Sequence, residues 1–367
     1  MKVGSDFSGV GAFDQALKRL GVNYETVFAC DMDKYARDTF IHNYGEPKYY
    51  PTNVYDREIP TESLDIYMTS PPCQAFSLAG KRLGKDDKRG VLFFNSHEFI
   101  QVNKPRFFIF ENVKGLLSDD GGKTFQEWIN MLGGKSVNGL PVLFAHDDAV
   151  PYHLYWKVLN AKHHGVPQNR ERVFLIGIRD DVDNHFQYPK EEHLIKRLKD
   201  VLEDDVDDKY NINDISNIKR LSQTLEKHEL PNEIRMIDSY NKSIHEDSIC
   251  ISTRINASSC THLYIPNDLI KIGDYRKDEG FRWREDGNSP CLHTQLKDVE
   301  FNEKRGQSAI FINNGYKIRR LTPRECFRLM DFPDTFTWKV SDSQAYKQAG
   351  NSIVVNVLYK ILKQLPL

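Results

Sequence analysis

The first half of the chain alternates short apolar runs with amphipathic stretches, and this alternation restricts the fold more than any other feature. "KVGSDF", "TVFAC", "LDIYMTS", "RFFIFEN", "YWKVLN" and "RVFLIGI" are rich in β-branched and aromatic residues and predict buried strands. Between them lie helical patterns such as "AFDQALKRLG", with Phe13, Ala16, Leu17 and Leu20 on one face and Gly21 as a stop. Strands alternating with helices mean βαβ units. The fold class is therefore α/β, a doubly wound, mostly parallel sheet whose ligands bind beyond the carboxyl ends of its strands.

The pattern does not persist. "EEHLIKRLKDVLEDD" predicts a helix with Leu194, Ile195, Leu198, Val201 and Leu202 in one stripe. From about Tyr210 to Tyr316 the chain is polar, irregular and rich in Asn, Ser and Asp. "NSIVVNVLYKILKQL" then predicts a closing amphipathic helix, with Ser352 near its start and Ile353, Val357, Leu358, Ile361 and Leu362 packed on the first sheet. At 367 residues the chain exceeds one hydrophobic core. Two domains are expected: a catalytic, cofactor-binding one from 1–189 and 345–367, and a smaller, loop-rich one with its connecting segment at 190–344.

The six cysteines are scattered without a C-x-x-C pair, which argues against a zinc site or a disulfide framework and for a reducing interior. The start lacks the apolar region of a signal peptide, and no apolar run approaches the roughly 18–20 residues that span a bilayer. A cytoplasmic protein is expected. The net charge of −2 hides an uneven distribution: "KRLGKDDKRG" and "YKIRRLTPRECFR" are basic, "EDDVDD" acidic. Separation of this kind permits a positive cleft on a near-neutral protein.

Four local patterns converge on one sheet edge. "DFSGVGAFDQAL" carries Gly9 and Gly11 between a strand and a helix, where the backbone turns sharply and a ligand can approach a helix N-terminus. Asp14 stands where a dinucleotide fingerprint wants its third glycine, which disfavours a nicotinamide enzyme. Asp31 ends the second strand at the distance expected of a ribose-binding acid. Cys73 follows two prolines after the expected fourth strand, and Glu111 ends the fifth beside it. In "QNRERVFLIGIR", Arg170 and Arg172 alternate so as to face one side. Each is commonplace alone; together they place a nucleophile, an acid and cations at one ligand-binding edge.

These motifs, in this order, resemble those of DNA (cytosine-5) methyltransferases of the prokaryotic or phage type. "DFSGVGAF" is similar to that family's cofactor turn, "SPPCQAFS" to its nucleophile motif, "ENV" to its acid motif and "QNRERVFLIG" to its arginine motif. "RRLTPRECFRLMDFP" resembles its joining segment and "QAGNSIVVNV" its closing motif. The resemblance implies S-adenosylmethionine as cofactor, held by Asp6, Phe7, Gly9, Gly11, Asp31, Met32, Asn53, Val54, Pro71, Leu92, Asn351 and Val355. Asn53 stands where the family commonly has Asp. It also implies attack by Cys73 on carbon 6 of an extruded cytosine, with Glu111 protonating ring N3, Arg172 holding the ring carbonyl and Arg170 supporting the thiolate.

The implied partner is double-stranded DNA, bound by a monomer without a metal. Ser77, Lys81, Arg82 and Arg89 would contact it from the loop after Cys73, and Arg282, Arg284, Thr294 and Gln295 would read bases. Enzymes of this type are often paired with a restriction endonuclease of the same specificity. A related branch with the same motifs acts on transfer RNA.

Overall fold

The computed structural model describes residues 1–72, 91–182, 184–210 and 316–367, together with the strands 235–238, 243–245, 248–249, 262–266, 271–276, 280–284 and 309–313. The chain divides into two compact units. The first comprises Met1–Glu203, Asp247–Ala257 and Pro323–Leu367, and the second Asp204–Glu246 and Ser258–Thr322.

The first unit is built on β1 (Lys2–Asp6), β2 (Glu25–Cys30), β3 (Ile66–Thr69), β4 (Phe107–Val113), β5 (Ser136–Val137), β6 (Leu140–Pro141), β7 (Tyr152–Asn160), β8 (Gln168–Asn169) and β9 (Glu171–Arg179). Its helices are α1 (Ala12–Leu20), α2 (Lys34–Tyr44), α3 (Val91–Asn103), α4 (Lys123–Leu132), α5 (Pro323–Leu329), α6 (Asp342–Asn351) and α7 (Val355–Leu362). Eight strands form one sheet in the order β2-β1-β3-β4-β9-β7-β5-β6. Pairing is parallel from β2 to β4, whereas β9 runs against both its neighbours, β4 and β7. The sheet is thus mostly parallel and mixed, as the strand–helix alternation predicted. β3 and β4 were expected to be the fourth and fifth strands; the stretch between α2 and β3 contributes only a bridge from Tyr49 to Phe28, so they are the third and fourth.

Both faces of β4 are buried, which is why its sequence is a continuous apolar run. Phe108 and Phe110 join Phe93 and Phe99 of α3 and Phe125 and Trp128 of α4 in one cluster, while the alternating Phe107 and Ile109 are fully buried on the other face. Gly177 of β9 lies opposite Phe108, and a Cβ there would meet the Phe108 ring at 2.0 Å. Gly177→Ala is therefore expected to overpack the sheet by about 1–3 kcal/mol, lowering the melting temperature by roughly 2–6 °C. A melting curve identical to wild type would refute the packing argument.

Two helix expectations change. In 190–204 only a 3-10 turn forms, at Leu198–Val201. Leu198 and Val201 are buried but Ile195 is 89% exposed, so the stripe is not a single apolar face. The closing helix begins at Val355, because Ser352 ends α6 and the backbone between is extended. α7 packs on α1, and Arg19 of α1 reaches both Asp331 and Asn356.

The second unit holds β10 (Arg235–Asp238), β11 (Ser243–His245), β13 (His262–Pro266), β14 (Lys271–Arg276), β15 (Gly280–Arg284), β16 (Ala309–Asn313) and β17 (Tyr316–Arg320). They form two antiparallel sheets, β11-β10-β13-β17 and β15-β14-β16. β12 (Ser248–Ile249) belongs to the first unit, where it pairs with β8. Among the described residues no helix is long and apolar enough to cross a membrane.

Candidate active site

The carboxyl end of β1 turns into α1 through a segment of left-handed backbone: Phe7 has φ 57°, Gly9 φ 54° and Gly11 φ 83°. At Gly11 a Cβ would strike the Tyr44 ring at 2.3 Å, so both the conformation and the space require glycine. The Gly9 amide donates to Asp31 Oδ2 at 2.8 Å, and the Asp33 amide donates to Asp31 Oδ1 at 2.8 Å. The acid at the end of β2 is thereby fixed beside the glycine turn. Burial pushes its carboxyl above the usual range against these two amides. Next to it Met32 is 86% exposed, an uncovered apolar side chain at the strand ends. Asp14 is a buried residue of the first turn of α1, where Thr26 of β2 donates to it at 2.8 Å, and burial lifts its carboxyl to about 7. A hydrogen bond here replaces the close helix–strand contact that a third glycine would permit.

Several residues assigned to the cofactor have other engagements. The Asp6 carboxylate faces inward and is bound by Arg57 and Tyr67. Asn53 accepts the Tyr55 amide at 3.1 Å and donates to Asp56 at 2.8 Å, so its oxygen already serves a local turn. Val355 is fully buried at the start of α7, and its amide bonds Met330. Val54 and Pro71 are buried, Leu92 packs on the core cluster, and Asn351 is exposed in the last turn of α6.

At the next strand ends the geometry is tighter. Asn112 donates its side-chain amide to the Pro71 carbonyl at 3.2 Å, tying the chain just before Cys73 to the residue after Glu111. Because β9 is antiparallel to β4, its beginning lies at β4's end, with Arg172 opposite Val113. Arg172 Nε is 3.1 Å from Glu111 Oε1. Glu111 is buried, and desolvation pushes its carboxyl up; Arg172 and, more weakly, Arg170 pull it back without cancelling the shift. Arg170 lies just before β9, also buried, and donates to the carbonyls of Gly350 and Ser352 at 3.1 and 2.9 Å. It therefore clamps the α6–α7 turn, a placement that the one-face reading of R-x-R did not foresee.

Cys73, Ser77, Lys81, Arg82, Arg89, Thr294 and Gln295 lie outside the described residues. Arg282 and Arg284 alternate on β15, opposite Asp274 and Ile272. The basic run at 316–328 is partly spent on internal bonds: Arg324 donates to the Phe336 carbonyl and lies over Trp338, and Arg328 pairs with Asp334 and bonds the Val201 and Leu202 carbonyls. Sequence reading missed Arg57 and Tyr67, since nothing in "YDREIP" marks an arginine whose partner lies 51 residues away. Among the described residues no cluster of His, Cys, Asp and Glu is suited to a metal ion.

An acid with a raised pKa, an arginine against it and a glycine turn with an anchored carboxylate sit at adjacent strand ends. Relatives match along nearly the whole of this chain. It is 32% identical to type II methyltransferase M.HhaI of Haemophilus parahaemolyticus, over 97% of this chain and 91% of that one. It is 31% identical to orphan methyltransferase M.SPRI of Bacillus phage SPR, over 100% and 97%. Among solved structures, a variant of Spodoptera frugiperda DNMT2 superposes with a TM-score of 0.67 at 20% identity, covering 99% of this chain and 98% of that one, a likeness of fold. Residues 1–366 match the family described as C-5 cytosine-specific DNA methylase, and to that family this chain belongs, as a C-5 cytosine methyltransferase.

Proposed function

We propose that the protein transfers a methyl group from S-adenosylmethionine to carbon 5 of a cytosine extruded from duplex DNA at a specific short sequence. The observation that carries this reading is the buried Glu111 carboxyl, held beside Arg172, with the next residue, Asn112, bonded to the Pro71 carbonyl two residues before Cys73. Family membership supports the reaction, and the family's description favours DNA as substrate.

The residues of the glycine turn suit the cofactor. Left-handed backbone at Phe7, Gly9 and Gly11 allows close approach, Asp31 offers acceptors to ribose hydroxyls, and uncovered Met32 offers an apolar surface to an adenine. When bound, S-adenosylmethionine supplies an electrophilic methyl group. The protein's own task is to make carbon 5 of the base a nucleophile. Attack of the Cys73 thiolate on carbon 6 forms a C–S bond and sends an electron pair toward ring N3. Protonated Glu111 delivers its proton to N3, leaving an enamine with electron density at carbon 5. To Arg172, which lies against Glu111, we assign the hold on the adjacent ring carbonyl. After transfer, loss of the carbon 5 proton to water or hydroxide returns the electron pair and expels the thiolate.

None of this is possible within a stacked duplex, so the base must swing out at a cost of about a few kcal/mol. We assign closure over the DNA to the segment carrying Ser77, Lys81, Arg82 and Arg89, and sequence reading to the 190–344 region, with Arg282, Arg284, Thr294 and Gln295 as base contacts. The enzyme acts as a cytoplasmic monomer without a metal.

The deciding experiment supplies the purified protein with radiolabelled S-adenosylmethionine and either genomic duplex DNA or total transfer RNA. Label in DNA is expected, and bisulfite sequencing of that DNA should show protected cytosines within one short motif. Label in RNA alone would overturn the DNA assignment while leaving the chemistry intact.

A further inference from the structure

Arg57 lies in the irregular stretch between α2 and β3, outside every motif that carries the family resemblance. Its side chain is 1% exposed and that of its partner Asp6 is 0% exposed. Nε donates to Asp6 Oδ1 at 2.9 Å, and Nη2 donates to Asp6 Oδ2 at 2.6 Å and to the Asn95 carbonyl at 2.9 Å. The Tyr67 hydroxyl donates to the same Asp6 Oδ2 at 2.5 Å. Phe99 completes the enclosure, stacked on Tyr67 at 4.1 Å and 5.1 Å from the Arg57 guanidinium carbon.

These contacts join three pieces of chain with different tasks. Asp6 is the last residue of β1, directly before the left-handed Phe7 and the glycine turn. Tyr67 lies in β3, the strand that leads through Pro71 to Cys73. Asn95 belongs to α3, the helix that follows the segment carrying the nucleophile. A second bond, Thr69 Oγ1 to Ser96 Oγ at 2.8 Å, joins β3 and α3 again. The Arg57–Asp6 pair is thus the common point: Arg57 ties the cofactor turn to α3 through Asn95, and Asp6 ties it to β3 through Tyr67.

Stability alone does not account for such an arrangement, because a buried ion pair is often replaceable by apolar residues without loss. What a planar two-toothed contact provides, and an apolar contact does not, is direction. We infer that Arg57 is a positioning residue for methyl transfer, holding the glycine turn in register with the strand end that carries the nucleophile. The inference rests on reading this edge as the methyl-transfer site.

The test compares wild type, Arg57→Lys, Arg57→Met and the paired Asp6→Asn/Arg57→Met variant in the full-length protein. For each, the melting temperature, the dissociation constant for S-adenosylmethionine without DNA, and kcat and KM on duplex DNA are measured. Arg57→Lys keeps the charge but loses the fork. It is expected to weaken cofactor binding about tenfold and lower kcat up to about a hundredfold, with little change in KM for DNA. The paired variant is expected to melt closer to wild type than Arg57→Met does, yet to recover neither cofactor affinity nor kcat.

Recovery of both in step with melting temperature would make Arg57 merely structural and overturn the inference. So would wild-type kinetics in Arg57→Lys, or failure of both Arg57→Lys and the paired variant to fold. Wild-type protein that neither binds the cofactor nor methylates DNA would instead strike the underlying functional reading.

Discussion

Cys73→Ala is expected to lower methyl transfer by at least about 10,000-fold while the protein still binds S-adenosylmethionine and duplex DNA. Carbon 5 of cytosine is too poor a nucleophile to take a methyl group from a sulfonium unless the ring is first converted to an enamine. Only addition at carbon 6 does this, and alanine has no atom that can add. The cofactor turn and its Asp31 anchor are independent of that sulfur, so binding should survive within about threefold. The same sulfur gives a second readout. A duplex carrying 5-fluorocytosine at the target position should trap wild type in a covalent complex that persists on a denaturing gel, since fluorine cannot leave as the proton does. Cys73→Ala should form none. Substantial methylation by the alanine variant, or a trapped band in its presence, would end the covalent mechanism.

What was legible in the sequence is what is local. Strands buried on both faces must be apolar along most of their length, so β3, β4 and β9 stand out as runs of Val, Ile, Leu and aromatic residues. The glycine turn is legible because left-handed backbone selects glycine, and Glu111 because it breaks the apolar run near the carboxyl end of β4, although the strand continues two residues further, to Val113. What escaped was set by groups distant in sequence. Arg170 reaches carbonyls 180 and 182 residues on, and by taking those of Gly350 and Ser352 it holds open the break between α6 and α7. The pattern of apolar residues from Asn351 to Leu365 gives no sign of that clamp. In 190–204 the apolar spacing suited a helix, but Glu192 pairs with Lys360 of α7 and the Arg197 amide bonds Asp200, so the chain is drawn into an extended path ending in a 3-10 turn. Asp6 shows the same limit in the site itself. Its position at a strand end was legible, but the buried arginine that turns its carboxylate inward was not.

Glu111→Gln should leave the fold and DNA affinity within about threefold of wild type yet lower kcat by roughly 10²–10⁴-fold. Glutamine can still donate a hydrogen bond toward ring N3, but it cannot transfer the proton that neutralises the charge created by thiolate addition. The pH dependence follows from the same group. Burial raises the Glu111 carboxyl above its ordinary value, against the pull of Arg172 and Arg170, so the protonated donor persists to higher pH than an exposed glutamate would allow. As pH rises through that raised value the donor is lost, and the alkaline limb of kcat in wild type should reflect it; the glutamine variant should lack that limb. Stability should respond in the same sense. A carboxyl whose folded pKa exceeds its unfolded one binds more protons when folded, so its contribution is intact at low pH and is lost as pH rises through the folded value. Wild type should therefore lose stability relative to Glu111→Gln over that interval. Unchanged turnover in the variant, or a wild-type alkaline limb that survives the substitution, would remove Glu111 from proton donation and leave Arg172 to stabilise the ring by charge alone.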